Sequence, residues 1–205
     1  PTTPLKGRQL IMGRFALDET AGYALGIDKE GHLAFWVGDG KDTDEIVSTV
    51  PLVHHTWYLV GVSYNARSGE ATLHHEAIVN PYNGRLGRVA PFDHTATVRQ
   101  HLRVKPIAAS TPFLWGAVSN SAPVRGRFKD FLYNGKIDRS AIFDRTISVE
   151  EMQAFAANPR EATGALAIWD TTEGYGPDGI DDVVRDVSGN GLDGVGIHQA
   201  QCAEV

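Results

Sequence analysis

The sequence has 205 residues, of which 42% are hydrophobic and 21% are charged, and its formal net charge at pH 7 is −6. This composition is typical of a globular protein and excludes a wholly disordered chain, a collagen-like repeat and a coiled coil. The mild acidic excess argues against a nucleic-acid binder, whose footprint is a basic surface. At about 100–200 residues per domain, the length predicts one domain, or one domain with a short appendage.

Short apolar runs and alternating residues predict a series of β-strands, separated by turns rich in Gly, Asn and Asp. Two hairpins are the clearest, and they span residues 23–37 and 57–77. Further strands are predicted at 113–118, 129–133, 136–143 and 166–169. Such a run of short strands favours an all-β, antiparallel sandwich over a βαβ fold.

One α-helix is predicted late in the chain. Ser148 and Glu151 have the spacing of a capping box, in which each side chain satisfies a backbone N–H of the first helical turn. The apolar residues within 149–156 fall on one helical face. Pro159 predicts the end of the helix.

Residues 80–110 contain several turn-forming residues, and only one strand is predicted there, near 97–104. A loop of this length is uncommon in a compact domain unless it has a function. The part from 80 to 106 carries five basic residues and one acidic residue. Such a segment is often a solvated loop, but it is also a candidate interface with an acidic segment or a partner subunit. The candidate interface residues are Arg85, Arg88, Arg99, Arg103 and Lys105.

Residues 165–205 are acidic, with eight Asp or Glu residues and one Arg. Because Ca²⁺ takes several oxygen ligands, a calcium site in this region is one hypothesis. The spacing does not match an EF-hand loop, so solvated acidic turns are the favoured interpretation. The oxygen donors concerned are Asp178, Asp181, Asp182, Asp186, Asn190 and Asp193.

No catalytic constellation is predicted. The chain has one cysteine, Cys202, and no Gly-x-Ser-x-Gly motif. The carboxylates around Asp44 follow no strand pattern, which argues against the acid pair of a glycosidase. Each histidine doublet, His54-His55 or His74-His75, places its rings on opposite faces of a strand and so offers at most one ligand to any metal. We expect one ring of each doublet to be half-buried and the other to be solvated.

Three stretches together resemble a laminin-G-like, or concanavalin A-like, jelly-roll domain. They are the hairpin from Gly22 to Leu33, the tryptophan-led hairpin from Thr56 to Leu73, and the closing strands and helix from Phe128 to Met152. The resemblance implies an antiparallel jelly-roll sandwich with one short helix. It assigns residues 1–164 to the jelly roll and residues 165–205 to an acidic closing strand and connector toward a following domain.

The end of the sequence is similar to the segment after the jelly roll in large subunits of the N,N-dimethylformamidase type. The similar stretches are Ala165–Asp170 and Val184–Gly194. This resemblance implies a non-catalytic scaffold and interaction module of an amidohydrolase that converts a small formamide to an amine and formate. It implies iron in another domain of the parent enzyme. None of the family's catalytic or iron-ligating residues maps onto this sequence, so no catalytic, cofactor or metal residue is predicted in it.

A carbohydrate-binding, lectin-like module is the alternative that the same fold allows, since a fold alone does not define a function. It requires exposed aromatic rings, whereas the four tryptophans lie in apolar strand runs that predict core packing. The single cysteine and the lack of an apolar run of about 20 residues predict a cytoplasmic protein without a membrane span. The first residues, which include no initiator Met, predict an internal piece of a longer protein.

Overall fold

In the computed structural model, the described residues are 1–78, 94–124, 127–159, 162–171, 175–176, 179–180 and 183–196. They are mostly β-structure, as predicted, with one α-helix within these ranges. The chain divides into two compact units, Pro1–Gly135 and Lys136–Val205. The predicted boundary between residues 164 and 165 separates a jelly-roll domain from a connector, and it stays a prediction.

The first unit begins with a short 3-10 helix at Pro4–Lys6, which precedes its strands. The strands that the structure describes in this unit are β1 (Gln9–Ala16), β2 (Ala21–Ile27), β3 (His32–Asp39), β4 (Thr43–Pro51), β5 (Tyr58–Tyr64), β6 (Glu70–Ala77), β7 (Ala96–His101), β8 (Leu114–Trp115), β9 (Val118–Val124) and β10 (Arg127–Asp130). The described elements of the second unit are β11 (Ser140–Phe143), α1 (Val149–Ala157), β12 (Ala165–Trp169), β13 (Tyr175–Gly176), β14 (Gly179–Ile180), β15 (Val183–Val184) and β16 (Gly194–Val195).

The first unit is built from two largely antiparallel sheets. The larger has the strand order β10-β9-β1-β2-β3-β4, with β8 paired to β1 and a parallel bridge between β1 and β9. The smaller has the order β5-β6-β7. The ring of Phe35 on β3 lies 5.9 Å from the ring of Tyr64 on β5, and Gln100 on β7 donates to the carbonyl of Glu45 on β4. The two sheets therefore pack against one another.

The central strand β3 is buried on both faces. Phe35 faces the smaller sheet, whereas Trp36 lies on the opposite face and is 2% exposed. The Trp36 ring packs edge-to-face against Phe15, with centroids 6.4 Å apart. It also covers Gly26 on β2, where an added Cβ would lie 2.6 Å from the indole, so this close approach requires glycine. The predicted core packing of Trp36 is confirmed.

Both predicted hairpins are confirmed, as β2–β3 and β5–β6. Strand β4, in contrast, has no counterpart among the predicted strands. Its residues Ile46 and Ser48 are buried at alternate positions, but most of their neighbours are polar and hide the period of two. Such a pattern suits an edge strand, whose outer positions meet solvent.

Left-handed backbone residues shorten three of the predicted strands. Gly116, with φ of 72°, divides the strand predicted at 113–118 into β8 and β9. Phe131 and Arg139, each with φ of 48°, lie directly after β10 and directly before β11. A left-handed residue breaks the extended backbone, and only glycine signals it in a sequence.

In the second unit, β11 and β12 form an antiparallel pair, with Ser140 opposite Trp169. The predicted helix is confirmed as α1. Its residue Met152 is buried, and the ring of Phe155 lies 6.5 Å from the ring of Phe143 on β11. Among the residues that the structure describes, no helix has the length and apolar character needed to cross a membrane.

The start of α1 provides a test of local stability. The Ser148 hydroxyl accepts the N–H of Glu151 at 3.2 Å, and the Ser148 N–H donates to the Glu151 carboxylate at 2.8 Å. Replacing Ser148 with alanine should lower the free energy of unfolding by about 1 kcal/mol, because a helix N–H loses its partner. Urea titration measures this loss. Ser148→Thr keeps the hydroxyl and should retain most of the stability, and an equal loss in both variants would contradict the capping role.

Candidate interaction surface

The turn between β5 and β6 fixes one arginine in an exposed position. The side-chain oxygen of Asn65 accepts the N–H groups of Arg67 and Ser68, at 3.0 Å and 3.3 Å. The Gly69 N–H donates to the Asn65 carbonyl at 2.7 Å, and Gly69 has a φ of 79° that suits glycine. Arg67 is therefore presented by a hydrogen-bonded turn, and its side chain lies in solvent.

The chain after β7 is held against the same turn. Leu102 is buried, and its N–H donates to a carbonyl of the turn at 2.8 Å. The Arg103 N–H donates to the Asp44 carboxylate at 2.7 Å, and the Lys105 ammonium donates to the Arg67 carbonyl at 3.4 Å. These contacts bring basic residues from two separate segments to one place.

The resulting cluster, which we name the hairpin patch, consists of Arg67, His101, Arg103 and Lys105. All of its side chains are exposed. Within the described ranges, its arginines and its lysine form no ion pair with a carboxylate, whereas Arg8 and Arg145 elsewhere in the chain each pair with a glutamate, at 2.8 Å and 2.7 Å. The patch thus presents uncompensated positive charge.

The predicted interface residues divide into two groups. Arg103 and Lys105 belong to the hairpin patch, and Arg99 is exposed on β7 nearby. Arg85 and Arg88 lie outside the described residues. The segment predicted as an interface therefore contributes in part to one cationic surface.

Neither Arg67 nor His101 is among the predicted interface residues. Of the two, Arg67 also lies outside the predicted segment, residues 80–106. Its place depends on the pairing of β6 with β7, which sets Glu70 opposite His101. The turn at 65–69 is itself visible in the sequence, but the strand that packs beside it is separated from it by about 30 residues of chain. Spacing alone does not reveal such a non-local pairing.

The carboxylates on β4 have structural roles. Asp44 and Glu45 are adjacent on a strand, so their side chains lie on opposite faces. Glu45 forms an ion pair with Arg8 at 2.8 Å, while Asp44 accepts the Arg103 N–H. Both residues lie at the polar start of β4, outside any apolar run, as the sequence indicated. Their separation across the strand leaves them without the shared cleft that a glycosidase acid pair needs.

The histidine doublet on β6 is buried on both faces of the smaller sheet. His74 is 2% exposed, with Nδ1 at 2.8 Å from the Thr97 hydroxyl and Nε2 at 3.5 Å from the Glu76 carboxylate. His75 is 0% exposed on the inner face, where its ring lies 5.7 Å from the ring of Tyr58. The rings lie on opposite faces, as predicted, but the expectation that one of them is solvated is wrong.

His75 is an unusual core residue. Neither of its ring nitrogens has a hydrogen-bond partner among the described residues. Burial, together with the nearby imidazoles of His74, His94 and His32, lowers the pKa of His75 to about 4. The ring is therefore neutral in the folded protein at pH 7.

Within the described ranges, no set of three or more His, Cys, Asp or Glu side chains is arranged to hold a metal ion. His54 and His55 are both exposed on a turn, with ring centroids 5.4 Å apart, so the expectation of one half-buried ring is wrong for this doublet. Three of the residues in the calcium hypothesis, Asp178, Asp181 and Asp182, lie outside the described residues.

Asp186, another member of that set, organises the turn that follows β15. Its carboxylate accepts the N–H groups of Ile168, Ser188 and Leu192, at 3.0, 2.9 and 2.9 Å. Burial acts to raise the pKa of Asp186, but these hydrogen bonds outweigh it and hold the pKa at about 2. Asp193 in turn accepts the Asp186 N–H at 2.8 Å. Both carboxylates are therefore used to bind the backbone.

The described residues define a mostly β protein module, with two packed sheets in its first unit and an exposed cationic patch at one hairpin turn. A surface of this kind binds anionic groups through arginine and lysine side chains. The histidines of β6 and the acids of β4 and of the Asp186 turn are held by structural contacts or buried in the core.

The sequence is similar to β subunits of N,N-dimethylformamidase. It is 36% identical to the subunit from Paracoccus aminophilus over 205 residues, which are 98% of this chain and 26% of the relative. It is 32% identical to the subunit from Alcaligenes sp over 197 residues, which are 94% of this chain and 26% of that relative. No family model matches the chain. The chain spans about a quarter of the length of these curated relatives and is homologous to one segment of them.

Proposed function

We propose that this chain is a non-catalytic scaffold and interaction module of an N,N-dimethylformamidase-like amidohydrolase. The observation that carries the proposal is the 36% identity along 98% of the chain to the β subunit of such an enzyme. The parent protein would hydrolyse a small formamide to an amine and formate. Because the homologous segment is about a quarter of the relative, the remaining length has room for the catalytic domain.

We propose further that the sandwich is a laminin-G-like jelly roll and that the protein works in the cytoplasm. The two packed, largely antiparallel sheets of the first unit support the first point. The single cysteine in 205 residues supports the second, because a reducing compartment does not favour disulfide-stabilised folds.

The iron of the parent enzyme is proposed to lie outside this chain. Of the buried imidazoles, His74 is already engaged by Thr97 and Glu76. His75, which has no such partner among the described residues, lies on the opposite face of β6 and cannot join it at one metal. The donor groups of the described residues thus do not fit an iron site, and no chemical step is assigned to them.

The carbohydrate-binding alternative has less support. Sugar recognition uses exposed aromatic rings as stacking surfaces, but Trp36 and Trp169 are buried and Trp57 and Trp115 are half-buried. The exposed surface with a defined geometry is the hairpin patch, whose charged groups suit an acidic partner. The scaffold role is therefore the better-supported function.

The proposal is tested by deletion from the complete protein. Replacing the segment that corresponds to residues 1–205 with a short Gly/Ser linker should abolish assembly of the enzyme, which size-exclusion chromatography with light scattering measures. The isolated 205-residue chain should release no formate from N,N-dimethylformamide and should contain no iron. Formate release by the isolated chain would overturn the non-catalytic role, and normal assembly after the deletion would overturn the scaffold role.

A further inference from the structure

We propose that the hairpin patch is the docking site for a carboxylate-rich segment of a partner subunit. The inference rests on the proposed function and deepens it, because it names the part of the module that makes the contact and the chemistry of its partner. It also replaces the predicted interface, residues 80–106, with four side chains around the β5–β6 turn, of which Arg67 lies outside that segment.

The first support is that these charges are unsatisfied. The guanidinium groups of Arg67 and Arg103 are exposed and, among the described residues, form no ion pair. The Asp44 carboxylate accepts the Arg103 backbone N–H. The carboxylate of Glu70 accepts the hydroxyl of Ser68 at 3.1 Å. Neither carboxylate forms an ion pair with the Arg67 or Arg103 guanidinium, so both guanidinium groups can bind an external carboxylate.

The second support is that the patch is preorganised. The Asn65 side chain and the Gly69 N–H fix the turn that carries Arg67. The buried Leu102 and the Asp44 contact fix the backbone that carries Arg103. Because the backbone of both segments is already ordered, a ligand has only side chains to immobilise, and this lowers the entropic cost of docking.

The third support is the contrast with the chain as a whole, whose net charge is −6. A positive patch on an acidic protein orients a negatively charged partner toward one site and disfavours other orientations. A short acidic protein segment can contact the patch alone. A long nucleic acid would also meet the acidic remainder of the chain, so a protein segment is the occupant that the charge distribution favours.

The test compares charge reversals in the full-length enzyme complex. Arg67→Glu with Arg103→Glu should weaken subunit association about tenfold or more, measured as a Kd by analytical ultracentrifugation. Arg67→Gln with Arg103→Gln should weaken it less. Raising the salt concentration should weaken the parent complex, affect the Gln variant much less, and partly restore association of the reversed variant. Salt screens the attraction in the parent and the repulsion in the reversed variant.

The matched control is Lys29→Glu with Lys41→Glu. These exposed lysines lie on other turns, and each already has an acidic neighbour, at 3.4 Å and 3.9 Å. The control changes the net charge by the same amount and should leave association within about twofold of the parent. Circular dichroism checks that every variant is folded.

Equal association of the patch variant and the control would overturn the docking site. If deletion of residues 1–205 still abolishes assembly in that case, the scaffold function stands and only the location is wrong. If the patch variant instead loses binding to RNA or DNA while assembly is unchanged, the acidic-protein partner is wrong. Normal assembly after deletion would remove the scaffold function itself.

Discussion

Replacing His75 with leucine should make the stability of the chain much less sensitive to pH between 6.5 and 4. In the parent chain, charging this one residue is expected to cost about 3 kcal/mol of unfolding free energy across that interval, since one pKa unit corresponds to about 1.4 kcal/mol. Urea titrations at half-unit pH steps from 7.5 to 4 would measure the two curves. The difference between them should be largest at the acidic end.

The sign follows from where the proton binds. The pKa of His75 falls from 6.5 to about 4 on folding, chiefly because its ring is buried, so between these values the unfolded chain takes up a proton that the folded chain does not. Stability therefore rises with pH across this window, is fully present above 6.5 and is lost as pH falls toward 4. The groups around the ring, His32, His74 and His94, oppose its charging.

Neighbouring carboxylates do not reverse this expectation. Asp28 lies 3.5 Å from His32, and Glu76 lies 3.5 Å from His74, so each is placed beside a different imidazole. The control is His54→Leu, which removes an exposed imidazole from a turn. For each variant, the unfolding free energy is plotted against pH. The difference between the slopes of the His75→Leu and His54→Leu plots isolates the effect of burial. Equal slopes for His75→Leu and the parent chain would show that His75 titrates as a solvated residue.

The burial of His75 illustrates what the sequence does not reveal. Alternation along β6 correctly places the rings of His74 and His75 on opposite faces, because that depends only on the period of the strand. Which faces are covered depends on what packs above them. Since that packing joins residues far apart in the chain, one doublet is buried on both sides while the doublet at His54 is exposed.

Elements that depend on neighbouring residues were predictable. The β2–β3 and β5–β6 hairpins and the capping box at Ser148 are encoded within short stretches, and the structure contains all three. Strand β4 was not predictable, because an edge position tolerates the polar residues around Ile46. The candidate site was only partly predictable, because one part of it is local in the sequence and the other is not. Arg103 lies in a visible basic segment, but Arg67 joins it only through the β6–β7 pairing.

Replacing Asp186 with alanine should loosen the turn after β15 more than any single change at its neighbours. Three backbone N–H groups, those of Ile168, Ser188 and Leu192, lose a charged acceptor at once. At about 1 kcal/mol or more for each hydrogen bond, the expected loss of local stability is about 3 kcal/mol. Native-state hydrogen exchange should show the amides of Ile168 and Leu192 exchanging about a hundredfold faster.

Two further variants separate the charge from the geometry. Asp186→Asn keeps one oxygen acceptor but presents an amide N–H₂ in place of the second oxygen, so its effect should be intermediate. Asp193→Ala removes a single acceptor, the one at 2.8 Å from the Asp186 N–H, and should cost about 1 kcal/mol. Exchange rates in Asp186→Ala that match those of Asp193→Ala would contradict the central role of Asp186.

The pH dependence at Asp186 should have a different cause from that at His75. The folded state favours the charged form of Asp186, whereas it disfavours the charged form of His75. Its pKa is held at about 2, below the ordinary value of 3.8, by hydrogen bonds that only the ionised form accepts fully. The stabilisation is therefore present above pH 3.8 and is lost as pH falls through 2. The Trp169 indole N–H donates to the Leu192 carbonyl at 2.7 Å, and exchange of the Leu192 amide reports on the same turn. Lowering the pH from 6.5 to 4 should therefore destabilise the first unit around His75, while the Asp186 turn of the second unit stays intact.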